Sequence, residues 1–424
     1  MKHWNLTESA LLGERYYSCV HQSSLPIYVF PKKMSTTYAM LAVKFGSVDN
    51  ATDGERFSDG VAHFLEHKLF ANEDGSDSFE RFSALGADAN AYTSHSRTVY
   101  LFSCTDHFGK ALEELLTFAT HPYFTDRSVK KEQGIIAEEI RMCHDDPYDR
   151  CYRNMLMGLY EHHPVRIDIC GSERSVMGIT AEELYRVYNA FYRLDNMALV
   201  VCGDVDPEEV RKIADKCLPS AAPEQAPIRV PEVRESSRAA KPHICTEGQV
   251  AKPIFAIGIK DVAVPTNAAE AARRSAAMEI LCEMLFSDTG ELYNILFDKG
   301  LISPEFSFGY SQSRDFGFVR ISGEADDPEA VQAHILEFLA EQRKKGLDEA
   351  EFLHCRRIEF AEYIKGFDST EEIADNLVAF LFEGAELLSY ADVIAGVTFR
   401  EVCDLFETFF DPSCFTLSQV RPKE

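Results

Sequence analysis

No stretch of this 424-residue chain approaches the run of about eighteen apolar residues that a membrane-spanning helix needs. Met1 to Tyr17 has no basic start followed by an apolar core, so no secretory leader is expected there. Basic charge is scarce: 43 Lys and Arg stand against 69 Asp and Glu, for a net charge of −26. That deficit disfavours a phosphate-binding surface, so neither nucleic acid nor an anionic membrane is an expected partner. An acidic surface of this kind serves solubility or lines a chamber that attracts basic peptides. The twelve cysteines include no C-x-x-C pair and no regular spacing. Cys104, Cys202 and Cys282 sit in apolar runs and read as small buried hydrophobes in a reducing compartment, which makes the cytoplasm the expected location. No low-complexity tract breaks a composition that is 46% hydrophobic, and the length suggests two domains.

Against these absences one pentapeptide stands out, His63-Phe64-Leu65-Glu66-His67. It spells H-x-x-E-H. Residues four apart share a helix face, so His63 and His67 can aim two imidazoles at one metal ion. Glu66 projects close by, able to take a proton from water activated at that ion. The flanking Gly60-Val61-Ala62 and Leu69-Phe70 make the segment an apolar helix, so these polar groups are expected to be at least partly buried. Buried imidazoles and carboxylates need partners, and a metal supplies one.

A catalytic zinc site needs a third protein ligand. Ser128 to Met142 offers it, with Ile135, Ile136, Ile140 and Cys143 forming an apolar stripe at helical spacing. Glu132 and Glu139 fall on that stripe, about two turns apart, whereas Glu138 is displaced by roughly 100°. A carboxylate on a core-facing stripe needs a reason. Metal ligation supplies one for Glu139, and orientation of a first ligand supplies one for Glu132.

Strands are expected at Ile27 to Phe30, Tyr38 to Phe45, across Ala89 to Cys104 and at Met197 to Cys202. Helices are expected at Ser78 to Leu85, Lys110 to Ala119, Thr180 to Tyr192 and Pro207 to Leu218, with Thr180 and Glu183 as a capping box. Pro223, Pro227, Pro231 and Pro242 mark 221–242 as a linker between domains at 1–220 and 243–424. The second half repeats the first in outline. Strand patterns at Phe255 to Ile259, Phe316 to Gly323 and Cys414 to Val420 alternate with helical ones at Ala268 to Phe286, Pro328 to Lys345 and Leu347 to Phe367. Gly203-Asp204 before Pro207 and Gly323-Glu324 before Pro328 look like matching turns of a duplication.

The chain resembles the pitrilysin/insulinase family of zinc peptidases, the inverzincins, and within it the YmfH-type proteins of Gram-positive bacteria. The resemblance spans essentially the whole chain. It is carried by His63 to Phe70, by Asn90-Ala91-Tyr92-Thr93-Ser94, by Gly134 to Ile140, and by His163-Pro164-Val165-Arg166 with Gly171-Ser172. It implies an α+β fold, an α/β sandwich of two similar domains, each a mostly antiparallel sheet packed with helices. Only the first carries the metal motif. It further implies one Zn2+ ion on His63, His67 and Glu139, with Glu66 as general base and Glu132 as the family's second acidic position. Asn90 and Ala91 would lie on an edge strand that binds an extended peptide substrate.

The same resemblance exposes a gap. Peptide-cleaving members usually add an Arg and a Tyr from a segment like L-R-E-K-G-L-x-Y, which stabilise the oxyanion. Here Leu296 to Ser303 matches that segment, with Phe297 at the Arg position and Ser303 at the Tyr position. Tyr310 and Arg314 lie nearby but off those positions. Two functions follow as expectations. One is a zinc endopeptidase subunit whose related partner, in a heterodimer or a homodimer, supplies the missing pair. The other is a non-catalytic scaffold or peptide-binding subunit, linked through the resemblance to elongation factor P modification.

Overall fold

A computed structural model describes residues 4–221 and 226–423. Residues 222–225 of the expected linker, and 1–3 of the stretch searched for a leader, lie outside the described residues. The strands in chain order are β1 (Asn5–Ser9), β2 (Glu14–Val20), β3 (Pro26–Pro31), β4 (Thr37–Val43), β5 (Ala51–Thr52), β6 (Glu55–Arg56), β7 (Asp88–Thr93), β8 (Thr98–Cys104) and β9 (Met197–Gly203). They continue with β10 (His243–Gly248), β11 (Ile254–Lys260), β12 (Ser307–Gln312), β13 (Gly317–Glu324) and β14 (Phe415–Pro422). Two sheets result, ordered β1-β2-β3-β9-β4-β8-β7 and β10-β14-β11-β13-β12, beside a small β5-β6 ladder. The fold is α+β with two similar domains, as expected.

The likeness is one of topology. In the first sheet β3 pairs parallel with β9, and β4 pairs antiparallel with both β9 and β8, which in turn pairs with β7. In the second sheet β10 and β14, β11 and its two neighbours, and β13 with β12 repeat the same order and the same directions. β9 therefore corresponds to β14, and β13 to β8. The Gly-acid turns after β9 and after β13 are not equivalent positions. The repeated topology is clear, but that pair of turns does not mark it: a Gly-acid-Pro stretch is a generic way to leave a strand and cap a helix. Asp206 and Asp327 do cap the helices beginning at Pro207 and Pro328, and Asp146 caps another beginning at Pro147.

The chain forms two compact units, and neither is contiguous in sequence. The first takes residues up to Ile140, then Ile167–Glu232 and Ile364–Leu388; the second takes Arg141–Arg166, Val233–Tyr363 and Ser389–Glu424. One crossing between the units follows Glu232, and each half of the chain also lends a helical stretch to the other unit. Helix Pro147–Leu159 packs on β11 and β14 of the second sheet, and helix Thr370–Glu383 packs on β4 and β9 of the first. Gly258 on β11 allows the first of these contacts, because a Cβ there would sit 2.7 Å from Met155 and 2.8 Å from Leu159. Periodicity alone cannot assign such helices to a sheet.

Central strands β4 and β9 bury every residue, as strands flanked on both sides do, while edge strand β7 is only partly covered. In the second unit the Glu235 carboxylate accepts hydrogen bonds from the backbone N–H groups of Glu161, His162 and His163 and from Lys260 Nζ. The adjacent His163 is buried and pairs with Asp315 at 3.3 Å. The His163-Pro164 stretch is thus a braced corner of the second unit.

Candidate metal centre

Helix Val61–Leu69 starts at Gly60, whose φ of 89° belongs to the left-handed region. A Cβ on Gly60 would lie 2.3 Å from the Cys170 carbonyl oxygen, and one on Gly171 (φ 74°) would lie 2.4 Å from that of Asp59. Two glycines thus let the Cys170-Gly171 turn press backbone to backbone against the start of this helix. Glu183 braces the same end. Thr180 caps its own helix through Glu183 N–H, but the Glu183 side chain does not complete the expected capping box. It accepts instead from Ser58 N–H at 2.7 Å and Ser58 Oγ at 3.1 Å, two donors that engage both of its oxygens.

His63 and Glu66 are buried, 7% and 8% exposed, and His67 is half-buried. Helix Asp126–Asp145 brings in the two carboxylates. Glu139 Oε1 lies 3.5 Å from His63 Nε2, and Glu139 Oε2 lies 3.3 Å from His67 Nε2. Glu132 Oε1 is 3.3 Å from His67 Nδ1, the opposite nitrogen of that ring. Glu138 is exposed. Of the apolar stripe, Ile136 and Ile140 are buried, whereas Ile135 is 45% exposed, so the stripe is narrower than its spacing suggested.

The charges in this cluster support each other. The hydrogen bond to His63, opposed by burial and aided by the field of both histidines, holds the Glu139 carboxyl below its usual range. Burial works against ionised Glu132 too, but His67 keeps its carboxyl low. Burial alone would lower the His67 pKa; the Glu132 hydrogen bond and the charges of Glu139 and Glu66 raise it instead.

The donors fit a zinc ion. Tetrahedral zinc with bonds of about 2.0–2.2 Å to nitrogen and oxygen sets its ligand atoms about 3.3–3.5 Å apart, the spacing of each imidazole from one oxygen of Glu139, Oε1 for His63 and Oε2 for His67. His63 Nδ1 is buried without a hydrogen-bond partner, so the ring meets its polar neighbours through Nε2, on the side facing Glu139.

Glu66 lies beside this cluster, and its Oε2 accepts a 2.6 Å hydrogen bond from Thr93 Oγ1 at the end of β7. β7 is the outer strand of its sheet, so Asn90 and Ala91 do lie on an edge. Asn90 Oδ1 accepts from the Ala91 N–H at 2.9 Å. Tyr310 is tied into the fold: its hydroxyl donates to Asp261 at 2.6 Å, and Arg274 grips the same carboxylate. Phe297, at the Arg-equivalent position, is 48% exposed and stacks on Tyr293.

Sequence reasoning missed Thr93 as the partner of Glu66, and it missed Cys170 altogether. Cys170 Sγ lies 3.9 Å from His63 Nε2, and His63, Glu139 and Cys170 place ligand atoms within 4.8 Å of one another. Only its place before Gly171-Ser172 hinted at it, since 107 residues separate it from His63.

Residues 30–173 match the model of the insulinase family, peptidase family M16, and residues 178–358 match the M16 inactive domain. The chain is 34% identical over 426 residues to the uncharacterized zinc protease YmfH of Bacillus subtilis, covering 97% of this chain and 98% of that protein. The chain belongs to the M16 insulinase family. An M16-like peptidase from Alicyclobacillus acidocaldarius superposes with a TM-score of 0.91 at 31% identity over 99% of each chain. The fold also matches pitrilysin, with a TM-score of 0.76 at 16% identity, covering all of this chain and 47% of that one. The mitochondrial-processing peptidase subunit beta of Neurospora crassa is 27% identical over 173 residues, 39% of this chain and 36% of that protein. Among the described residues no helix is long and apolar enough to cross a membrane.

Proposed function

We propose that this M16 chain is a zinc-dependent endopeptidase subunit acting on short or unfolded peptides. The observation that carries the reading is the convergence of His63, His67 and Glu139 at zinc-ligand spacing, with Glu66 held beside them by Thr93. A bound zinc ion would supply Lewis acidity that acidifies water and polarises a peptide carbonyl. Glu66 takes the proton from the attacking water and returns it to the leaving amine. Thr93 fixes one oxygen of Glu66 and leaves the other for that water. Glu132 holds His67 through Nδ1, so that Nε2 faces inward. The open side of β7, with Asn90 and Ala91, aligns the peptide as an added strand.

The missing oxyanion groups come from a related subunit in this reading, as a heterodimer or a homodimer. Phe297 and Ser303 carry that part, and the likeness to a processing-peptidase subunit agrees with it. The cytoplasm is the proposed location, since no disulfide joins any of the twelve cysteines.

A second reading has its own observation. The match of 178–358 to the M16 inactive domain, with Phe297 at the Arg position, favours a scaffold or peptide-binding subunit, the role tied by resemblance to elongation factor P modification. Cleavage of a mixed peptide library by the zinc-loaded chain, alone and with a related subunit, separates the two. Products that appear only with the partner and vanish in Glu66→Gln support the peptidase. No products in either arm, with zinc bound, support the scaffold.

A further inference from the structure

We infer that Cys170 is a fourth protein donor to the metal, so that the resting centre is closed by a thiolate. The inference rests on the metal reading above and goes beyond it, because the ligand set implied by the sequence holds no sulfur.

Three observations converge. The Cys170 sulfur, the His63 Nε2 and a Glu139 oxygen form a compact trio within 4.8 Å, three donor types that suit zinc. Zinc bonds of about 2.3 Å to sulfur and 2.0–2.1 Å to nitrogen put those two atoms about 3.6 Å apart in a tetrahedron. The 3.9 Å observed between Cys170 Sγ and His63 Nε2 needs an adjustment of a few tenths of an ångström. His63 is more than nine-tenths buried with Nδ1 unpartnered, and its other nitrogen faces both Glu139 and Cys170.

The backbone holds the sulfur in place. Cys170 N–H donates to Asp168 Oδ1 at 2.9 Å, and Gly171 N–H donates to the Asp168 carbonyl at 2.8 Å. Gly60 and Gly171 let the backbone of this turn press against the start of the helix, three residues before His63. On binding, the thiol gives up its proton to solvent as the sulfur–metal bond forms, and the position that water would take is filled. Hydrolysis then requires the sulfur to swing away, and Cys170 acts as a latch on the centre.

The test replaces spectroscopically silent zinc with cobalt(II) in the full chain and adds X-ray absorption at the zinc edge. The expected result is a sulfur-to-cobalt charge-transfer band and one sulfur scatterer at about 2.3 Å from zinc. Both should be lost in Cys170→Ser while one ion per chain remains. A wild-type centre with nitrogen and oxygen donors only would overturn the inference and leave the metal reading standing. A sulfur signal that survives Cys170→Ser would overturn it as well. A chain that binds neither cobalt nor zinc would bring down the metal reading itself. If Cys170→Ser fails to fold by circular dichroism, Cys170→Ala serves in its place, and the wild-type sulfur shell is decisive by its absence.

Discussion

The two sheets of this protein repeat one strand order, yet the same place in each holds opposite chemistry. In the first unit the strand β4 leads to the helix Val61–Leu69, followed by Phe70; in the second, β11 leads to the helix Ala268–Phe286. Counting back from Leu69-Phe70 gives His67, Glu66 and His63. Counting back equally from Leu285-Phe286 gives Glu283, Cys282 and Glu279. The later helix of each unit adds carboxylates, Glu132 and Glu139 in the first and Glu359 and Glu362 in the second. Imidazoles facing carboxylates stabilise each other's charge: Glu139 and Glu132 are held low and His67 is raised. In the second unit burial does the reverse, helped at Glu359 by neighbouring carboxylates. Burial pushes Glu279 up to about 7, and burial with the fields of Glu279, Glu283 and Glu362 pushes Glu359 up to about 7. The repeated topology therefore carries two donor sets: the first places nitrogen donors beside carboxylates, as the proposed zinc site requires, and the second places carboxylates whose burial favours their protonated form.

The strongest way to break this comparison is to count metal ions. Zinc content should be about one ion per chain, fall to near zero in His63→Ala/His67→Ala, and remain at one in Glu279→Gln. Two ions per chain by elemental analysis would mean that the carboxylate copy also binds. In the same range of effect, Glu66→Gln should keep its zinc and lose cleavage by about 100- to 10,000-fold.

Next is the support beneath the metal helix. Gly60→Ala should cost about 3 kcal/mol or more in thermal or urea unfolding, because it adds a backbone overlap to left-handed strain. Gly13→Ala also sits at positive φ but meets nothing within 4 Å, and should cost only about 1 kcal/mol. Equal costs would show that the contact with Cys170 is not what fixes Gly60.

The pH response sharpens the second unit. A carboxyl raised from 4.5 to about 7 on folding keeps its proton in the native state after the unfolded chain has lost it. The unfolded state then binds fewer protons, so stability falls as pH rises from about 4.5 to about 7. Glu279→Gln should match the parent below that window and gain about 3 kcal/mol above it. A parallel pair of stability curves would remove the charge argument.

The smallest effect expected is at Thr93. Thr93→Val deletes one hydrogen bond to the Glu66 carboxylate and should lower kcat about tenfold with KM unmoved. An equal rise in KM would move Thr93 from positioning Glu66 to binding peptide.

Much of this was legible beforehand. The strands β3, β4, β9, β11 and β13 and the long helices after Asn267 and Asp327 lie within a few residues of their expected places, since alternation, caps and apolar spacing act over a few neighbours. Elements with weak local signals were not foreseen: β1, β2, β10, β12 and the helix Pro147–Leu159, whose sequence Pro-Tyr-Asp-Arg-Cys-Tyr-Arg is mostly polar.

By itself the sequence determined the shared face of His63 and His67, the stripe that singled out Glu139 over Glu138, and the family to which these belong. Spacing on a helix is a local geometric fact, readable wherever the helix goes. Only the tertiary structure decided that Glu183 braces Ser58, that Thr93 steadies Glu66, that Cys170 comes to 3.9 Å from His63, and that helices change units. Those contacts join residues from 27 to 125 positions apart, where the packing of strands and turns, and not the residues between, fixes who meets whom.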